Sequence, residues 1–233
     1  MPLRIACDLD GTLADMDGAL QQHAETLFGA GVELRGGGSS LEQVMNPEGV
    51  ETGEVVLKRG KGLNDRQMKE LWASVCRVEN FWHSLKEIEP GSVARLAELA
   101  AANRWEVLFL TQRPVTAGET SQVQSQRWLQ DHGFALPSVF VMQGSRGKVA
   151  AALALHAVLD DRAENCLDVA MESKARPMLI WRGAPDALPP GAKRLGIEPM
   201  LSFANALDQL QQMMRVSKKP PTLADKVKNA LGI

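Results

Sequence analysis

Cysteine is scarce and poorly spaced for a structural role. Cys7, Cys76 and Cys166 are the only three, with no CxxC pair and no Cys/His grouping. An odd count without ligand spacing excludes a disulfide framework or a structural zinc site as the organising device, and the expected compartment is the cytoplasm. Long apolar runs are also missing. No stretch approaches the roughly 18 consecutive apolar residues of a membrane span. The N-terminus has no charged segment leading into an apolar one, so no secretory leader is expected. Neither sign of charge is in excess: 26 Lys and Arg against 28 Asp and Glu leave a net charge of -2. That balance gives no general attraction to nucleic acid or anionic lipid. A small-molecule partner is therefore expected, with no membrane role and nucleic acid disfavoured.

What the chain does have is enough apolar material for a core. It has 233 residues with 45% hydrophobic content, which suits one core carrying an inserted or appended subdomain. Five short, continuous apolar runs read as strands buried on both faces: Leu3 to Cys7, Val107 to Leu110, Val139 to Met142, Ala157 to Leu159 and Met178 to Trp181. Helical patterns alternate with them at Ser92 to Ala102 with Ser92 as N-cap, Ser121 to His132, Gly147 to Leu155, Ala163 to Lys174 and Phe203 to Met214. The alternation predicts a parallel, Rossmann-like doubly wound α/β core over residues 1–15 and 85–215.

The rhythm breaks once, between Asp15 and about Trp82. Helical patterns at Ala19 to Ala30 and Asp65 to Val78 flank a long irregular stretch there, so residues 16–84 are expected to form a small helical cap. Residues 216–233 read as a linker with a short basic helix, since 215–233 carries five basic side chains against one acidic.

Chemistry-bearing residues gather at or beside the ends of the predicted strands: Asp8, Asp10 and Thr12 after the first, Thr111, Gln112 and Arg113 after the second, Lys148 beyond the third, and Asp160 and Asp161 after the fourth. In open parallel sheets ligands bind beyond the carboxyl ends of the strands, so all four groups can converge. Clustered carboxylates repel one another unless a hard cation joins them, and magnesium with a substrate phosphate suits such an oxygen-rich set. The basic side chain nearest the third strand is Lys148, although the run Arg146-Gly147-Lys148 offers Arg146 as well.

With those residues in order, DLDGTLAD at 8–15, Thr111 closing VLFLT, Lys148 and DDRAEN at 160–165 resemble the four motifs of the haloacid dehalogenase-like phosphohydrolases. The resemblance implies Asp8 as nucleophile and Asp10 as general acid and base. Thr111 and the Gln112 amide would contact phosphoryl oxygens, and Lys148 would offset charge. The magnesium ligands would be Asp8, Asp161 and the Asp10 carbonyl, with Asp160 steadying the loop. Asn165 stands where the family pattern has an acid, so only an uncharged contact to metal-bound water is implied there. The insertion occupies the place of that family's C1-type cap, which favours small phosphate esters. The return segment ENFWHSLKEIEPG is similar to the 5′(3′)-deoxyribonucleotidase branch, and implies Phe81 and Trp82 stacking on a nucleobase. TQRP at 111–114 resembles polynucleotide phosphatase domains, with Arg113 free to grip a second phosphate.

The expected activity is therefore that of a magnesium-dependent phosphomonoesterase, with a nucleoside monophosphate as first substrate class. Polynucleotide 3′-phosphate and sugar phosphate are the alternatives. A phosphoacceptor module is disfavoured because its acceptor would stand on a middle strand of a shorter domain; a phosphate-binding protein without turnover is the other non-enzyme reading.

Overall fold

The computed structural model describes residues 2–34 and 62–218. The expected irregular stretch of the insertion, with Lys58, Arg59 and Lys61, and the basic segment from 219 onward lie outside them. Among the described residues six parallel strands form one sheet: β1 (Arg4–Asp8), β2 (Glu106–Thr111), β3 (Ser138–Val141), β4 (Ala157–Asp160), β5 (Arg176–Ile180) and β6 (Pro199–Met200). Their order is β3-β2-β1-β4-β5-β6. The chain is thus an α/β protein with a Rossmann-like, doubly wound core. The direction of winding reverses between β1 and β4, and that break in strand order opens a crevice beyond their carboxyl ends.

Both sheet faces are covered, which is why the strands read as continuous apolar runs. Ile5, Cys7, Phe109 and Met178 face one core, shared with α3 (Ser92–Asn103), α4 (Ser121–Asp131) and α8 (Phe203–Lys218). Ala6, Leu110 and Val158 face the other, against α5 (Arg146–Ala152) and α6 (Ala163–Glu172). Leu179 packs with α6 and the short α7 (Pro190–Arg194).

Within the insertion, α1 (Met16–Phe28) and α2 (Asp65–Val75) pack against each other. Asp15 caps α1 by accepting from the Gly18 amide, and Asn64 with Gln67 forms a reciprocal capping box on α2. Two segments link the insertion to the sheet and pair with one another: the Asp15 amide donates to the Lys86 carbonyl, and the Ile88 amide donates to the Leu13 carbonyl. The loop that follows β1 and the start of α1 are thereby tied to residues 86–88.

Some local expectations shift. Ser92 is the first residue of α3 rather than its cap. Gly91 precedes it with φ 83°, a left-handed conformation that glycine tolerates, and the Glu87 carboxylate accepts from the Gly91 and Val93 amides in the cap's place. The final helix runs on to Lys218, past the expected Met214. The two-residue strand β6 and the five-residue α7 are too short to carry a periodic signal.

Candidate active site

Register alone brings two carboxylates together. Cys7 pairs with Leu159 across β1 and β4, so the next residues, Asp8 and Asp160, leave the sheet side by side. Both are buried, at 7% and 1% exposure. Asp161 follows, and the turn after β1 wraps round it. The Thr12 hydroxyl donates to Asp161 Oδ1 at 3.1 Å. Gly11 has φ 84°, and a Cβ there would run into the Asp161 carboxylate. Glycine is required twice over at this position, once for backbone conformation and once for space.

This crowding shows in the acid-base behaviour. Burial, then Asp160, pushes Asp161 up to about 7. Asp8 is raised well above the ordinary carboxylate range, first by burial and then by Asp160, with Arg146 pulling the other way. Asp160 is also raised by burial, against the pull of Arg146 and the Arg162 amide. A carboxylate cluster of this kind is short of positive charge.

The cation that does reach Asp8 is Arg146. Its Nη2 donates to Asp8 Oδ1 at 2.7 Å, and its Nε lies 3.7 Å from Asp160 Oδ2. Arg146 is 5% exposed, and its Nη1 is buried without a partner among the described residues. Lys148 is exposed and meets this region only through its backbone, whose amide donates to the cap residue Ser145. The side chain that the structure places beside Asp8 is thus Arg146 and not the expected Lys148. Two residues along a helix turn the side chain by about 200°, so Arg146 and Lys148 cannot both face the crevice. Asp168 fixes the phase, accepting from Ser145 Oγ and from the Gly147 amide, while Gly147 lies so close to the Asp168 carbonyl that no side chain would fit.

Asp10, whose charge also bears on Asp8, has partners of its own. Arg113 grips its carboxylate with a fork, Nε to Oδ2 at 2.8 Å and Nη2 to Oδ1 at 2.7 Å. The Thr111 hydroxyl donates to the same Oδ2 at 3.0 Å. Thr111 thus bonds to Asp10 here, with Gln112 half-buried beside it. Arg113 is 4% exposed, so the expectation of an arginine free for a second phosphate is overturned. Its third nitrogen donates to Ser125 Oγ, and its guanidinium lies over the Trp82 ring, 4.9 Å from the centroid. Phe81 and Trp82 are 1% and 0% exposed. They fill core, Trp82 between Trp72 and Phe81, and offer no face for a base to stack on.

Asn165 lies beside Asp160. Its amide nitrogen donates to both Asp160 oxygens at 3.0 Å, while the Arg162 amide donates to Oδ1. Asn165 and Asp160 together brace the β4–α6 turn. Arg182, which the sequence did not single out, donates to the Gly11 and Thr12 carbonyls and to Glu89. Glu89 in turn accepts from the Phe203 and Ala204 amides at the start of α8. Burial raises Glu89, but those amides and Arg182 outweigh it and hold the acid below its ordinary range.

Among the described residues no three acidic, thiol or imidazole side chains converge as a metal cage. Asp8 and Asp161 are the residues that would hold magnesium, since this ion accepts one or two carboxylates and keeps several waters. The shortage of positive charge at these two acids is the observation that favours the fit. Thiol chemistry is not indicated: burial pushes Cys7 and Cys166 far from thiolate formation. A separate cleft of about 710 Å³ opens at the opposite end of the sheet, lined by Leu3, Leu155, His156 and Met213 among others. It lacks the carboxylate cluster.

No family model matches the sequence, and no curated protein matches it. Among solved structures 22 chains do match. One is a crystal structure described as a candidate beta-phosphoglucomutase from Thermotoga maritima, 18% identical, with a TM-score of 0.50 over 90% of this chain and 99% of that one. At that identity the likeness speaks for the fold: a Rossmann-like parallel sheet with flanking helices.

Proposed function

We propose that this chain is a phosphohydrolase of the haloacid dehalogenase type, a magnesium-dependent phosphomonoesterase with residues 16–84 as a C1-type cap and a nucleoside monophosphate as first substrate class. One observation carries the reading. Asp8 and Asp161 crowd at the break in strand order with a buried arginine on Asp8, which is the charge pattern that phosphoryl transfer to a carboxylate needs.

In the proposed reaction an Asp8 oxygen attacks phosphorus as the bond to the leaving oxygen breaks. The departing electron pair stays on that oxygen, which takes the proton that Asp10 has first drawn from solvent. Water then attacks phosphorus, gives its proton to Asp10, and the bond between phosphorus and the Asp8 oxygen breaks to release inorganic phosphate. Magnesium, held by Asp8, Asp161 and the Asp10 carbonyl, would neutralise phosphoryl charge. Arg146 stabilises the negative charge shared by Asp8 and the transferring group, the role first assigned to Lys148. Thr111 and the Gln112 amide would contact phosphoryl oxygens at the end of β2 once the Thr111 hydroxyl turns from the Asp10 carboxylate that it meets in this structure. Asp160 and Asn165 hold the loop that presents Asp161.

The insertion favours small soluble esters by closing over the site and excluding bulk and water. The test is phosphate release with magnesium across nucleoside monophosphates, sugar phosphates and a 3′-phosphorylated oligonucleotide. Turnover that is highest on mononucleotides supports the reading. Turnover confined to sugar phosphates or to the oligonucleotide moves the substrate class, and absence of release from all three contradicts the phosphatase reading.

A further inference from the structure

We propose that Arg113 is a positioning residue for the Asp10 carboxylate, held in place by Trp82 and Ser125; the inference rests on the phosphatase reading above. Arg113 has a side chain with 0% exposure, and its guanidinium is turned inward: the fork on Asp10, Nη1 on Ser125 and the guanidinium face over Trp82.

A buried ion pair is a weak device for stability, because desolvating both charges offsets most of their attraction and well-packed apolar residues often serve as well. What the forked contact supplies is direction. Two parallel N–H donors fix the plane of a carboxylate in a way that one point charge cannot.

The holder is itself fixed. The Trp82 indole N–H donates to the Pro114 carbonyl, and its backbone amide donates to Gln124 Oε1. Ser125 Oγ donates to the Ser121 carbonyl while accepting from Arg113. Orientation therefore passes from the rim of α4 and the return segment of the insertion, through one guanidinium, to the acid that moves the proton in both half-reactions. Misplacing a reacting group by about 1 Å costs on the order of 10²-fold in rate.

The test is a mutant cycle with Mg²⁺ present, using para-nitrophenyl phosphate, steady-state rates and rapid-quench detection of the phosphorylated enzyme by mass. Arg113→Lys keeps the charge and loses the fork. It is expected to lower kcat by about 10²-fold with KM nearly unchanged, and Asp10→Asn with Arg113→Lys is expected to be no slower than Asp10→Asn alone. Losses that multiply, or a rise in KM with kcat intact, overturn the proposal. If Arg113→Lys does not fold, Ser125→Ala and Trp82→Phe loosen the same guanidinium. They must show the same failure of additivity against Asp10→Asn, and independent losses overturn the proposal equally. A wild-type protein that releases no phosphate and forms no adduct on Asp8 overturns the phosphatase reading and this inference with it. An active wild type with additive variants overturns the inference alone.

Discussion

Arg146 reaches across the sheet from the first turn of α5 to donate to Asp8 at 2.7 Å, joining the end of β1 to a helix that follows β3. It is a buried arginine on a buried acid, and Lys148, two residues on, is exposed. Arg146→Ala is expected to reduce phosphate release by about 10²-fold or more, the usual effect of deleting one charged stabiliser of a developing anion. Lys148→Ala should stay close to wild type. Steady-state rates on one aryl phosphate decide it, and the reverse ranking would return the role to the lysine.

Gly11→Ala should be costly in two separable ways. A non-glycine residue at φ 84° loses about 1–2 kcal/mol of backbone energy, and the new methyl displaces the Asp161 carboxylate. The expected result is a modest fall in melting temperature and a much larger fall in activity and in magnesium response. A variant with wild-type magnesium dependence would detach Asp161 from the metal.

The carboxylate cluster sets the pH behaviour of the metal-free protein. Asp161 is raised from 3.8 to about 7 by burial and Asp160, and Asp8 is raised in the same direction. Between those values the folded state binds more protons than the unfolded state, so this contribution to stability is fully present below 3.8 and lost as pH rises through about 7. Magnesium, in the proposed site, would bind the ionised acids and should restore stability increasingly across the same window. Thermal unfolding at a series of pH values, with and without magnesium, measures both. A magnesium effect that shrinks as pH rises would contradict the assignment.

Trp82 is fully buried, and Trp82→Ala should cost about 3–5 kcal/mol of stability, as for other large-to-small core changes. Denaturant unfolding is the measurement. Near-wild-type stability combined with a large rise in KM for nucleotides alone would restore the base-stacking role.

The strands were legible because a sheet covered on both faces demands unbroken apolar runs, and all five expected strands appear within a residue or two of their expected ends. The acids at the ends of β1 and β4 were legible because each closes an apolar run, and ligands gather beyond the carboxyl ends of parallel strands. Arg146 and Lys148 were harder to separate: helix phase decides between them, and that phase is set by Asp168, a residue distant in sequence. Arg113, Phe81 and Trp82 look the same in sequence whether they line a pocket or fill a core. Their burial depends on how the insertion returns to the sheet, which no local pattern encodes. Arg182 acts through backbone carbonyls of the Gly11 turn, so its partners leave no trace in residue type.

The central claim is that Asp8 carries the phosphoryl group. Mixing the protein with magnesium and substrate, quenching in acid within the first turnover and mapping the peptides by mass should find one added phosphoryl group on the peptide bearing Asp8, and none in Asp8→Asn. Hydrolysis that proceeds at full rate in Asp8→Asn, or an adduct on another residue, would contradict it.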